Sequence, residues 1–362
     1  MSFDSITNIS NSSDAHIPIA PKGGFSKIPR VWRPLETILP FLLIGLIYFG
    51  ARQVASESKS SQTLSVALVQ RNFPCVFKAA SSESPERIYA RLLAPAASSR
   101  PDLTVLPESA FCEVGAVDSP RARVFAARVC GLLGSRALLA GGSRQAGDQV
   151  FNSAGLYTPE TLVGIYDKVH LVPFGEYIPG DKWIPALQAL APVGSCTSGE
   201  LKTMHCPTAQ GDVPIGVAIC FEDTDSAQMR RLAKQGARAL VFITNDSWFS
   251  YSNETVQHAW QAVARAIETG LPVVRCGNSG VTGTVGADGA ISWYADERGR
   301  PIVDQSGLML DRVVLGSGEK TPYVRYGDKP IFFAFLLLIL GMFMVKYRKH
   351  YEKRRSLSML FR

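Results

Sequence analysis

Residues 213–223 read V-P-I-G-V-A-I-C-F-E-D, an apolar run that ends at a cysteine followed within three residues by two carboxylates. The run predicts a buried strand. A cysteine at the end of such a strand favours a nucleophile placed on a turn between a strand and a helix. Free cysteine is also among the most buried residue types. The stretch alone therefore leaves Cys220 as either a nucleophile or a core residue.

The length of the chain and the distribution of its charge restrict its possible domain organisation and partners. The 362 residues, 46% of them hydrophobic, predict about two domains or one large domain with appendages. The net charge of +7 is concentrated in residues 1–33 and 346–362, so the body of the chain is close to neutral. Basic tails beside apolar spans are typical of membrane topology signals. We therefore expect a membrane as partner and no nucleic acid.

Two apolar runs are candidates for transmembrane helices. Ile38–Ala51 is uncharged but short, with a signal peptide or a buried helix as alternatives. Ile331–Val345 is followed closely by lysines and arginines. The positive-inside rule then predicts cytoplasmic termini and, in a Gram-negative inner membrane, a periplasmic central domain. The expected organisation is a disordered basic tail (1–33), a transmembrane helix (34–55), a catalytic domain (60–325), a transmembrane helix (330–346) and a basic tail (347–362).

The central domain alternates short β-rich runs with helical patterns, which predicts an α/β fold with sheets covered by helices. One strand, Ala137–Ala140, is expected to end at the pair Gly141-Gly142. A helix is expected over Thr255–Thr269. Its apolar face, at spacings of 4, 3 and 4, consists of Val256, Trp260, Val263 and Ile267.

Three positions carry groups that together suffice for acyl transfer through a thioester. Glu108 follows an apolar run in L-P-E-S-A, and a desolvated glutamate can act as the base that a thiol needs. Lys168, in Y-D-K-V-H-L, could stabilise the oxyanion formed when the thiolate of Cys220 attacks a carbonyl. Taken singly, Glu108 could flank a helix cap, Lys168 could be a surface charge and Cys220 could fill the core.

Seven cysteines without a C-x-x-C spacing and five scattered histidines predict neither a zinc site nor a cofactor. Cys196 and Cys206 could pair in an oxidising compartment.

The joint pattern of eight segments resembles the nitrilase (carbon-nitrogen hydrolase) superfamily, closest to its apolipoprotein N-acyltransferase branch. The longest segment, Y-D-K-V-H-L-V-P-F-G-E-Y-I-P at 166–179, is the most specific. The other segments, in chain order, are A-L-V-Q-R-N-F-P (67–74), L-P-E-S-A (106–110), F-N-S-A (151–154), I-C-F-E-D (219–223), I-T-N-D-S-W-F (243–249), R-A-I-E-T-G-L-P-V-V-R (265–275) and N-S-G (278–280).

The resemblance implies a fold and three catalytic roles. The fold is a nitrilase-like αββα sandwich, here with flanking transmembrane helices. Glu108 resembles the general base, Lys168 the cation that stabilises the oxyanion, and Cys220 the nucleophile. No cofactor is implied. The implied partners are a phospholipid as acyl donor, a lipoprotein or another amine as acceptor, and the membrane.

The same resemblance implies roles for four further residues. Glu176 and Glu222 match acidic residues that support the catalytic set, and Trp248 and Phe221 look like parts of the substrate pocket. The alternative for Trp248 is plain core packing. Phe221 departs from the acyltransferases, which commonly carry tyrosine there, and only one apolar run precedes the catalytic segments where those enzymes have several helices.

These departures leave three functions to distinguish. The first is a membrane-anchored acyltransferase that moves a fatty acyl group from phospholipid to the N-terminal amine of a lipoprotein. The second is an amidase that acts on a small amide, with water in place of the amine. The third is a structural or maturation component of a membrane assembly such as a plasmid conjugal-transfer apparatus, for which an intact set of Glu108, Lys168 and Cys220 would serve no physical purpose.

Overall fold

The computed structural model of the chain describes residues 61–73, 83–180, 183–184, 186–187, 195–249 and 252–360. The expected disordered tail (1–33) and first transmembrane helix (34–55) lie outside the described residues. The expected catalytic domain is described apart from its short gaps.

Two six-stranded sheets form the centre of the domain. The strand order of the first is β12-β1-β2-β3-β4-β5, in which β1, β2 and β3 are parallel and β4 is antiparallel to both of its neighbours. Its strands are β1 (Thr63–Gln70), β2 (Leu103–Val105), β3 (Ala137–Ala146), β4 (Gln149–Tyr157), β5 (Leu162–Asp167) and β12 (Gly307–Val314).

The second sheet has the order β11-β10-β9-β8-β7-β6, with β7, β8 and β9 parallel. Its strands are β6 (Thr203–Thr208), β7 (Gly211–Ile219), β8 (Ala239–Thr244), β9 (Val273–Gly277), β10 (Gly283–Val285) and β11 (Ile291–Trp293). Because alternate side chains of a strand point to opposite faces, each sheet has an inner and an outer apolar face. The inner faces of both sheets form one shared core that includes Leu68, Val105, Val217 and Ile243.

Helices cover the outer face of each sheet, which gives the expected αββα order of layers. On the first sheet lie α1 (Pro85–Leu93) and α2 (Pro120–Leu133), where Tyr89 and Phe125 pack edge to face. On the second sheet lie α3 (Ser226–Lys234) and α4 (Glu254–Thr269).

The expected end of β3 at Gly141-Gly142 is wrong, since the strand continues to Ala146. These glycines serve close packing. A Cβ at Gly141 would collide with the backbone of Glu108, and one at Gly142 would lie 2.8 Å from the Cβ of Phe111. The loop that carries Glu108 therefore rests directly on the strand, held by hydrogen bonds from the Gly141 amide to the Pro107 carbonyl and from the Phe111 amide to the Gly141 carbonyl.

The helix expected over Thr255–Thr269 is confirmed, but most of its expected apolar face points away from the core. Val263 packs against the core, whereas Val256, Trp260 and Ile267 are exposed. The buried face consists of small and polar residues, among them His258, Ala262 and Ala266. The second sheet is therefore covered by the small residues of α4, which allow the helix to approach closely.

Two C-terminal helices follow β12. The short α5 (Pro322–Tyr326) packs on α3 and α4, and α6 (Lys329–Leu360) then extends beyond the domain. Residues Lys329–Arg348 of α6 have a mean hydropathy of 2.1 and form the one helix in the described part of the chain that is long and apolar enough to cross a membrane. Twenty helical residues span about 30 Å, the thickness of a bilayer core.

Candidate active site

Cys220 lies on a strained turn at the end of β7. The strand ends at Ile219, and Cys220 begins a 3₁₀ turn over Cys220–Thr224 with a φ of 54°. A non-glycine residue in this left-handed region is uncommon, and such strain is concentrated at active sites. The turn places the thiol, which is half-buried, at the end of the central strands. This is the expected geometry of a nucleophile between a strand and a helix.

Lys168 and Glu176 form a buried ion pair beside this turn. Lys168 follows β5 directly, and its Nζ lies 2.9 Å from both carboxylate oxygens of Glu176. The Val172 amide donates to the same carboxylate at 2.8 Å and fixes its orientation. Burial lowers the pKa of Lys168, but the charges of Glu108, Cys220 and Glu176 outweigh burial, so the pKa lies above its usual value. The lysine is therefore a permanent cation.

Glu108 is the second carboxylate near Lys168, at a longer distance of 4.0 Å from Nζ. Its firm contact is with Asn152, whose side-chain amide donates to Glu108 at 2.8 Å and to Glu176 at 2.7 Å. Burial raises the pKa of the Glu108 carboxyl, although Lys168 and Asn152 act in the opposite direction. A carboxylate with a raised pKa is suited to accept a proton near neutral pH.

The two-sheet architecture explains why these residues meet. β2 and β5 run in the same direction in the first sheet, so Glu108 and Lys168 follow strands that end at one edge. Cys220 follows β7 in the facing sheet. Burial and then the charge of Glu108 raise the pKa of the Cys220 thiol well above its usual value, whereas Lys168 lowers it. The structure thus brings together the three residues that the sequence predicts as the catalytic set.

Glu222 joins the nucleophile turn to the loop that carries Lys168. One carboxylate oxygen accepts hydrogen bonds from the amides of Val169 and His170 at 2.8 and 3.0 Å, and the other accepts from the Ile219 amide at 2.8 Å. The hydroxyl of Tyr166 donates to the same carboxylate at 2.9 Å. Glu222 is fully buried and contacts backbone on both sides of the site. It therefore fixes the position of Cys220 relative to Lys168.

A second buried network holds the other side of the turn. His258 places Nε2 2.9 Å from Asp223 and Nδ1 2.9 Å from Asp246. Arg275 bridges the same two carboxylates at 2.5 and 3.1 Å. Burial and Arg275 lower the pKa of His258, but the two aspartates outweigh them and raise it to about 9. Protonated, the network holds two cations and two anions, so its charges balance.

The two residues expected in the substrate pocket are both exposed. Phe221 is 46% exposed and meets the His170 ring edge to face, and Trp248 is 63% exposed in the turn after β8. Core packing is therefore excluded for Trp248. Because Ile219 and Ile243 are paired on neighbouring parallel strands, the two aromatic residues lie at the edge of the sheet that carries Cys220. A role in substrate binding stays a prediction.

A cavity of about 700 Å³ lies beside the lysine loop. It is lined by His170, Tyr177, Cys196 and Asp225 among others, and none of Glu108, Lys168 or Cys220 lines it.

Cys196 and Cys206 are both free thiols, so the pairing that the sequence left open does not occur. Among the residues that the structure describes, no group of three His, Cys, Asp or Glu side chains could hold a metal ion.

Sequence reasoning missed several residues that hold the site together. Asn152 lies in the segment 151–154, and nothing in that segment predicts that its side chain bridges Glu108 and Glu176. The sequence patterns do not point to His258 or Arg275 either, although both belong to the buried network with Asp223 and Asp246. An arginine in the run V-V-R-C-G is a usable signal, because a charge in a buried strand needs partners of opposite charge. Arg265 and Glu268, one helical turn apart on α4, form an ion pair at 2.8 Å.

Comparison with known proteins agrees with this geometry. Residues 65–307 match the carbon-nitrogen hydrolase family. Among similar proteins, the apolipoprotein N-acyltransferase of Geobacter metallireducens is 35% identical over 83% of this chain and 57% of its own length. That of Caulobacter vibrioides is 31% identical over 88% of this chain and 62% of its own length. The chain thus spans roughly three-fifths of these relatives.

Solved structures support the fold. The carbon-nitrogen hydrolase of Helicobacter pylori G27 superposes with a TM-score of 0.50 and 19% identity, covering 73% of this chain and 92% of its own. The family match covers more than half of the chain and includes Glu108, Lys168 and Cys220. The chain therefore belongs to the carbon-nitrogen hydrolase family of the nitrilase superfamily.

Proposed function

We propose that the protein is a membrane-anchored acyltransferase that forms a thioester on Cys220. The observation that carries this proposal is the arrangement of Glu108, Lys168 and Cys220 in a domain that continues into an apolar helix long enough to span a bilayer. The similarity to proteins named apolipoprotein N-acyltransferase supports it. By this proposal the donor is a phospholipid and the acceptor is the N-terminal amine of a lipoprotein.

In the first half-reaction, Glu108 removes the proton from Sγ of Cys220 while the thiolate attacks the carbonyl carbon of the phospholipid ester. The carbonyl oxygen becomes an oxyanion, which the Lys168 ammonium stabilises. When the C–O bond breaks, the leaving alkoxide takes the proton from Glu108. A thioester on Cys220 and a lysophospholipid result.

In the second half-reaction, the acceptor amine attacks the thioester carbonyl and Glu108 accepts a proton from its nitrogen. The C–S bond then breaks, the amide forms, and the proton returns to the thiolate of Cys220. Glu176 keeps Lys168 in place during both steps, since its carboxylate accepts the hydrogen bonds of the Lys168 ammonium. Both half-reactions thus use the same base, cation and thiol.

The thioester is tested by measuring the intact mass of the full chain purified with membrane lipid. We expect a fatty-acyl adduct that neutral hydroxylamine removes and that Cys220→Ala lacks. Addition of a diacylated lipopeptide with a free N-terminal amine should discharge the adduct, whereas the same lipopeptide with an acetylated amine should not. Turnover of small amides without any adduct would instead establish the amidase, and neither adduct nor turnover would favour a structural component.

The proposed placement has the catalytic domain in the periplasm and both termini in the cytoplasm. The basic residues that follow Val345 support this orientation, because positively charged flanks are retained on the cytoplasmic side. Alkaline phosphatase fused after Arg362 should be inactive, and a fluorescent protein fused at the same place should be bright. The reverse pattern would overturn the placement.

A further inference from the structure

The outward face of α4 is apolar and exposed. Val256, Trp260 and Ile267 are 37%, 54% and 43% exposed, and Val263 between them is partly exposed while it also packs against the core of the second sheet. We call these four residues the apolar face. It extends over about 17 Å, because its ends are eleven helical steps apart. Single exposed apolar residues are ordinary, but a continuous helical stripe marks an interaction surface.

The helix beside it presents positive charge. α3 packs against α4, and its Lys234 is exposed. Desolvation and then the charges of Arg230, Lys320 and Lys329 lower the pKa of Lys234, so these cations lie within electrostatic reach of Lys234. We call Arg230, Lys234, Lys320 and Lys329 the basic cluster. The nearby acids include Glu319, which lies 3.6 Å from Arg325, Glu268, which pairs with Arg265, and Asp328, whose charge acts on Glu268.

Hydrogen bonds link the apolar face and the basic cluster to the segment that leads into α6. The hydroxyl of Thr321 donates to the Glu268 carbonyl of α4 at 2.5 Å, and the Arg230 side chain donates to the Tyr323 and Val324 carbonyls at 2.9 and 3.0 Å. Lys329 is only eight positions after Thr321, a reach of at most about 28 Å. The apolar face and the basic cluster are thus held close to the point where the apolar helix begins.

We propose that the outward faces of α3 and α4 are the surface by which the domain rests on the bilayer. The apolar face would enter the boundary between headgroups and acyl chains, where the amphipathic ring of tryptophan is favoured. The basic cluster would lie against the phosphates of anionic lipids, which attract clustered lysines and arginines. Apolar residues flanked by cations are the usual composition of an interfacial helix surface. The inference rests on the anchoring role of α6 and does not depend on acyl transfer.

The test is photo-crosslinking of the full chain in vesicles. The photoreactive residue p-benzoylphenylalanine replaces Trp260 or Ile267, and the matched control replaces Val124, which is exposed to a similar extent on α2 in the opposite helix layer. We expect lipid adducts at least about tenfold more abundant at the two α4 positions than at Val124. A third position, Leu337 in α6, reports anchoring alone, so a failure of insertion is separable from a failure of this proposal.

Charge is tested with vesicles of phosphatidylcholine with and without phosphatidylglycerol. Phosphatidylglycerol should increase the adduct at Trp260 several-fold, and the double substitution Lys234→Glu, Lys320→Glu should remove that increase. Lipid adducts at Leu337 together with equal yields at Trp260 and Val124 would overturn the proposal. A covalent dimer through Trp260 in place of a lipid adduct would also overturn it, in favour of a second copy of the chain.

Discussion

The ammonium of Lys168 lies 4.0 Å from the nearest carboxylate oxygen of Glu108, beyond hydrogen-bonding distance. The ammonium instead donates hydrogen bonds to Glu176 at 2.9 Å. Glu176 is therefore the direct ionic partner of the lysine, and the charge of Lys168 acts on Glu108 at longer range. This asymmetry fits the roles proposed for the two acidic residues, Glu108 as base and Glu176 as support.

Replacement of Lys168 by methionine should abolish formation of the acyl-enzyme. The variant has no cation for the oxyanion and leaves two buried carboxylates without a counter-charge, so we expect a rate at least about 100-fold lower. The rate is measured from the intact mass at fixed times after lipid is added. Lys202→Met, which removes an exposed lysine, is the control and should leave the rate unchanged. A Lys168→Met variant that acylates at the wild-type rate would remove the lysine from the mechanism.

The rate of acylation should fall at acidic pH because of Glu108. The general base must be ionised, and burial raises the pKa of its carboxyl above the usual value. Acylation is therefore fully active above that raised pKa and is lost as the pH falls through it. The variant Glu108→Gln should be slower by roughly 10²–10⁴-fold and should lack this acidic limb. Persistence of the same limb in Glu108→Gln would assign it to another group.

His258 should contribute stability that depends on pH. Its pKa in the folded chain, about 9, lies above the ordinary value of 6.5, so protonation stabilises the folded state. The contribution is fully present below pH 6.5 and is lost as the pH rises through about 9; it amounts to roughly 3 kcal/mol.

The measurement for His258 is thermal unfolding in detergent between pH 6 and about 10. His258→Gln should lower the midpoint temperature of unfolding at pH 6. It should also make that temperature fall less steeply as the pH rises toward alkaline values. His205→Gln, which changes an exposed histidine on β6, should leave the curve as in the wild type. Equal alkaline declines in wild type and His258→Gln would show that another group titrates.

Much of the fold follows from local sequence patterns. The helix Pro120–Leu133 and the strand Ala239–Thr244 carry strong local signals, a proline in the first helical turn and a continuous apolar run. The sequence also predicts that Glu108, Lys168 and Cys220 act together, and in the structure each of them follows a strand. Reactive groups after strands gather at one sheet edge, so the order of elements already predicts their proximity.

The contacts that join distant segments could not be predicted from local sequence patterns. The buried side of α4 is formed by His258 and small alanines because they meet Asp223 and the sheet closely, and local apolar spacing selects the opposite face. Arg275 is likewise tolerated in a buried strand only because Asp223 and Asp246 arrive from other elements. Such pairings depend on tertiary structure and leave no periodic pattern in the sequence.

Replacement of Glu222 by glutamine should destabilise the nucleophile turn more than replacement of Tyr166 by phenylalanine. The glutamine amide group would face at least one backbone N–H donor, so a buried repulsive contact replaces a charge-assisted hydrogen bond, at a cost of about 2–3 kcal/mol. Tyr166→Phe removes one hydroxyl and should cost about 1 kcal/mol. Thermal unfolding gives the order of stability, and the acylation rate should fall in that same order. The opposite order would show that the backbone contacts of Glu222 do not hold the turn.

Replacement of Gly141 by alanine should impair the base without touching any reacting group. Its Cβ would overlap the backbone of Glu108, so the loop must move or the strand must bend, and we expect a loss of about 1–3 kcal/mol in stability and a clear fall in acylation rate. Gly131→Ala is the matched control, because Gly131 lies in α2 with no atom within 4 Å of the added Cβ. Alanine there should stabilise the helix by up to about 1 kcal/mol. Since both variants add one methyl group, a loss of acylation in Gly141→Ala alone would show that contact with β3 positions Glu108, whereas equal activity in the two variants would show that the loop tolerates displacement.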